Sequence, residues 1–181
     1  SRKALPATML LLLAGCSHPN YTAVRDWAGT ASRVADYRGV VLPAGATSPA
    51  TASPAQAEAV LAMQHVLATY LFSLRTLAAD GYMTYRENPF TAEAARVMPL
   101  NEPAGQAIAT LGQQLEHATV MMHQAPAMRG DLRDANPHVQ TLINGLSGSV
   151  GRMAEAARAE RSAVAAGYAR IQHPGICRGA V

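Results

Sequence analysis

The stretch SPAQAEAVLAMQHVLATYLFSLRTLAADG, residues 53–81, decides the fold. Ser53, Pro54 and Gln56 form a capping-box pattern with proline at the first helical position, which sets a helix start by satisfying amide groups that have no intrahelical partner. Val60, Met63, Leu67, Tyr70, Leu74 and Leu77 then recur at steps of three and four, and Leu61, Val66 and Leu71 widen that face. No Asp, Glu, Lys or Arg occurs from Ala59 to Leu74. The pattern predicts a central helix over 54–80, buried on more than one side and ended by Asp80-Gly81. Gln64 and His65 interrupt the apolar run, which falls short of the roughly 20 residues that span a bilayer.

Working outward, the upstream segment predicts a first helix over about 20–38, capped by Asn20 and stopped at Gly39. Its apolar stripe is Tyr21, Val24, Trp27, Ala31 and Val34, which assigns Trp27 to the core. Residues 39–52 are rich in Pro, Gly, Ala, Thr and Ser and read as a loop. Downstream, residues 82–103 are irregular apart from a short helical turn at Thr91 to Val97. Asn101 to Pro103 opens a third long helix with the seam Ile108, Leu111, Leu115, Ala118 and Met122, and Pro126 follows its end. Arg129-Gly130-Asp131 reads as a polar turn between helices. Asn136-Pro137 is expected to open the fourth and longest helix. Its seam is Val139, Ile143, Leu146, Val150, Met153, Ala157, Val164 and Ile171, interrupted by Glu160. His173-Pro174-Gly175 ends it, leaving 173–181 as a flexible tail. Four amphipathic helices with few aromatic and β-branched runs predict an all-α chain. The expected architecture is a four-helix bundle over 20–172, with an irregular segment between the second and third long helices.

The first residues carry a different signal. Ser1-Arg2-Lys3 is a short cationic segment, Ala4 to Leu13 is apolar except for Pro6 and Thr8, and Leu13-Ala14-Gly15-Cys16 closes it. This resembles a bacterial lipoprotein signal peptide with its lipobox, residues 1–15, followed by a lipidated tether at 16–19. The resemblance implies cleavage before Cys16 and lipidation of its sulfur and new amino terminus. Because Ser17 rather than Asp follows, it also implies the periplasmic face of the outer membrane in a Gram-negative envelope. Val24 to Ala28, and the stretch Ala68 to Gly81, are similar to predicted proteobacterial lipoproteins of unassigned role. Cys177 is then left without an intramolecular partner.

Charge argues against a nucleic-acid partner. The formal net charge of +3 includes Arg2 and Lys3, and falls to +1 without them. No catalytic signature is present. Gly145-Leu146-Ser147-Gly148-Ser149 has Ser where a nucleophile elbow needs its second Gly, and it lies in a helical pattern. Glu116-His117 has the wrong spacing for a di-iron Glu-x-x-His pair, and there is no Cys-x-x-Cys-His haem site or phosphate-cradling loop. His117, Met121, Met122 and His123 offer imidazole and thioether groups suited to Cu(I), although core packing and helix termination also account for them. Tyr82, Tyr85, Arg86 and Phe90 group after the central helix, as partner anchors or as a flap over the open end of the bundle. The leading expectation is a non-enzymatic, membrane-anchored protein that binds an envelope protein partner and needs no cofactor. The alternative is a lipoprotein binding a small ligand or copper; a hydrolase has the least support.

Overall fold

The computed structural model describes residues 21–36, 53–79, 83, 85–120 and 125–172. Among them the chain is all-helical: α1 (Thr22–Ala35), α2 (Pro54–Ala78), α3 (Thr91–Val97), α4 (Glu102–Val120) and α5 (Ala125–Gln172). The count is five rather than four because the expected turn at Thr91 to Val97 is a helix in its own right.

The capping box of α2 is formed as its sequence predicts. The Gln56 amide donates to Ser53 Oγ at 3.2 Å, and Gln56 Oε1 accepts from the Ser53 amide at 3.0 Å. Val60, Met63, Val66, Leu67, Tyr70, Leu71 and Leu74 are all buried. They are spread around the helix because α1 packs on one side and α3, α4 and α5 meet the others. By length and composition alone α2 could cross a membrane, yet most of its apolar surface is already covered by protein, Phe72 excepted. A core helix needs that same composition.

Helix α1 runs antiparallel to α2. Gly29 lies beside Arg75, whereas Ser32 and Asp36 share a cleft with Phe72 and His65. The packing face of α1 is small: Ala28, Gly29 and Ser32 are buried. A Cβ at Gly29 would meet Arg75 Cδ at 3.0 Å, so the glycine permits the close approach. The expected stripe is therefore corrected. Trp27 is 58% and Val34 71% exposed, because the face chosen by α2 is the one that lets two backbones come close rather than the most apolar one.

Asn88 joins α3 to α4. Its Nδ2 donates to the Ala109 carbonyl at 2.9 Å, and its Oδ1 accepts from the Phe90 amide at 2.9 Å. The carboxamide lies where a Cβ on Gly112 would be, so this helix surface must be bare. Asn101 starts α4, its Oδ1 accepting from the Ala104 amide at 3.1 Å. Ile108, Leu111 and Leu115 form the predicted buried seam.

Helix α5 departs most from expectation. It begins at Ala125 and runs through Pro137, so Arg129-Gly130-Asp131 is helical and not a turn. Proline forfeits one backbone bond inside a helix. Here the preceding turns are held by packing, since Ala135 is buried and Leu132 lies against the core. Pro126 falls in the first turn, where proline is tolerated. Leu142 is fully buried, and Val139, Ile143, Leu146, Val150 and Met153 pack against the core beside it. Asp80-Gly81 and residues 173–181 lie outside the described residues.

Candidate functional surfaces

The seam of α5 continues past the core. Met153 is half-buried, but Val164, Tyr168 and Ile171 are 52%, 64% and 74% exposed. Positions 157, 164 and 171 are separated by seven residues, close to two turns, so they fall on one line. Tyr168 lies four residues beyond Val164 and joins the same stripe. The last four turns of α5 thus present a line of apolar side chains that the other described residues do not cover.

The stripe leads into a groove of about 740 Å³ between α2, the α3–α4 junction and α5. Val60, Met63 and Val97 form an apolar floor, and the exposed Gln56, Glu102 and Arg152 form a polar rim. Met153 belongs both to this groove and to the seam. The groove is open along its rim rather than an enclosed cavity.

A polar corner forms where α2, α4 and α5 meet. The Tyr70 hydroxyl is held well above its usual range, mainly by burial and secondarily by the carboxylate of Asp131. The Asp131 carboxyl is itself raised by loss of water; the charge of His117 opposes this and that of Asp134 adds to it. His117 is exposed on α4 and its charge acts on Asp131. Met121, Met122 and His123 lie outside the described residues, so the proposed soft-ligand cluster is seen only through His117. Among the described residues no group of three or more His, Cys, Asp or Glu side chains is placed to hold a metal ion. Met63 and His65 part company: Met63 faces the groove beside α5, and His65 faces the α1–α2 cleft.

The aromatic group after α2 is divided. Phe90 is 1% exposed and fills the core next to Asn88, so its ring is not offered to a partner. Tyr85 is half-buried, its hydroxyl 3.4 Å from Ser73 Oγ, while Arg86 is exposed. Tyr82 lies outside the described residues. The segment lies along α2 and α4, which it meets through Tyr85 and Asn88. Cys16, residues 1–15 and Cys177 also lie outside the described residues.

Sequence reasoning missed a cleft of about 270 Å³ lined by Arg25, Arg33 and Arg75 with Asp26 and Thr30. Arg25 Nε pairs with Asp26 Oδ1 at 3.0 Å, and Arg33 Nε donates to the Gly29 carbonyl at 3.2 Å. Only the α1–α2 pairing gathers these arginines, so no local spacing announces them. No protein-family model matches the chain, and neither a curated protein nor a solved structure matches it significantly.

Proposed function

We propose that this chain is a lipoprotein anchored through Cys16 at the periplasmic face of the outer membrane, where its helical body binds another envelope protein without catalysing a reaction. Helices α1, α2, α4 and α5 act as a four-helix bundle braced by α3. The observation that carries the binding role is the exposed line Val164, Tyr168 and Ile171, left bare by the described residues, which extends a core seam beyond the core. A monomer seldom leaves such a line bare unless a partner covers it. An isolated helix of about 15 residues is also marginal in water, so packing against a partner stabilises the arm. The matching surface is a stripe of aliphatic side chains, seated as a helix lies in a groove.

The anchor is tested by replacing Cys16 with Ser in the native host and following labelled fatty-acid incorporation; unchanged labelling and membrane retention refute it. Binding is tested by placing a photo-crosslinking side chain at Val164 or Ile171, with Arg158 as the opposite-face control. A discrete adduct to an envelope protein from the first two positions alone supports the role. Equal adducts from all three refute it.

The groove favours a second reading, a small-ligand carrier, because its volume and its apolar floor with a polar rim suit a small molecule. Native mass spectrometry of protein taken from host membranes distinguishes the two. The copper form of this alternative, on His117, Met121, Met122 and His123, is tested by Cu(I) titration against a chelator.

A further inference from the structure

We infer that α1 lies in the surface of the bilayer, with Trp27 and Val34 in the boundary between headgroups and acyl chains. The inference rests on the proposed lipidation of Cys16. Trp27 and Val34 are seven residues apart and share a line, with the exposed Ala23 and Thr30 on one side and the half-buried Val24 and Ala31 on the side toward the core. This face carries no charged residue, and it is turned away from the small face, Ala28, Gly29 and Ser32, that packs on α2. The described residues leave this line bare. Its most apolar residues stay exposed while alanine, glycine and serine are buried.

The tether names the occupant. Only residues 17–20 separate Cys16 from Tyr21. At roughly 3.6 Å per residue, a lipid on Cys16 keeps the start of α1 within about 18 Å of its anchoring point. Contact with the bilayer is then nearly intramolecular, and even a weak surface affinity suffices to seat the helix. Tryptophan favours the headgroup level because its ring is apolar and its N–H is polar.

Trp27 is the only tryptophan, so its fluorescence reports on this face directly. Two measurements separate the anchor from the seating. The mass of protein from host membranes decides whether Cys16 is lipidated. Independently, residues 16–181 carrying Cys177→Ser are coupled through the Cys16 thiol to a maleimide lipid in phosphatidylethanolamine–phosphatidylglycerol vesicles. The expected result is a blue shift of Trp27 emission on coupling, with strong quenching by bromines high on the acyl chains. Val34→Glu, at an exposed position, should abolish both changes without altering the helical circular dichroism, and Val34→Ser should weaken them. Emission identical for free and coupled protein overturns the seating even if Cys16 is lipidated in the host. Quenching that survives Val34→Glu undiminished also overturns it, because the stripe would not be the contact.

Discussion

Substituting Gly112 with Ala should change the sign of its effect according to what occupies position 88. Alanine is favoured over glycine in a helix interior by about 1 kcal/mol. In the native protein the new methyl falls on the Asn88 carboxamide, which must leave its seat. Departure breaks the 2.9 Å bonds to the Ala109 carbonyl and the Phe90 amide. Each is worth about 0.5–1.5 kcal/mol net, and the Phe90 amide beside a buried ring is costly to leave unpaired, so the loss totals about 2–3 kcal/mol. Gly112→Ala alone should thus destabilise by about 1–2 kcal/mol. Asn88→Ala should cost about 2–3 kcal/mol by the same two bonds. In that background the obstruction is gone, and Gly112→Ala should stabilise by about 1 kcal/mol. Urea titrations of the four proteins of this cycle give the coupling energy directly. Gly112→Ala stabilising by the same amount in both backgrounds would refute the Asn88 latch.

Leu67→Ala and Leu74→Ala remove buried side chains of α2 and should each cost about 2–5 kcal/mol; denaturation midpoints within error of the parent would contradict the central place of this helix. Ser53→Ala removes one half of the capping box and should cost about 1 kcal/mol, measured by thermal or urea unfolding. The raised folded pKa of Asp131 means that the native state holds its proton more tightly than the unfolded chain, so ionisation at neutral pH opposes folding. Asp131→Asn should therefore raise the melting temperature at neutral pH, and the gain should shrink as pH falls toward the ordinary aspartate range. A gain that grows on acidification would reverse the assigned sign.

The legible parts of the fold are those governed by local chemistry. Helix α2 is announced by Ser53, Pro54 and Gln56 and by an uncharged run, and all of these signals report short-range physics. The α4 seam at Ile108, Leu111 and Leu115 was legible for the same reason. The face of α1 was not. Periodicity marks Trp27 and Val34 as apolar, but it does not say which side another helix will choose, and α2 chose the small side. Nor was the start of α5 legible. Pro137 is a local stop signal overridden by the burial of Ala135 and Leu142, which depends on chain far away in sequence. Phe90 was legible as aromatic, but its place in the core depends on Asn88 reaching α4. The arginines of the α1–α2 cleft come together only through tertiary pairing.

Two apolar lines are left bare by the described residues, and their chemistry separates their roles. The α1 line holds the tryptophan, and its helix starts six residues after Cys16, both of which suit a lipid surface. The α5 line holds Val164, Tyr168 and Ile171, with Ala163, Ala165, Ala166 and Gly167 between and beside them. Small residues let a partner helix approach closely and add little apolar area of their own, which suits protein packing better than insertion into lipid. The lines therefore make independent demands. A charge at Val34 should disturb how the body rests on the bilayer while leaving crosslinks from Ile171 intact. A charge at Ile171 should do the reverse. If either substitution abolished both behaviours, the two surfaces would be parts of one interface, and the division between a lipid-facing α1 and a protein-facing α5 would have to be abandoned.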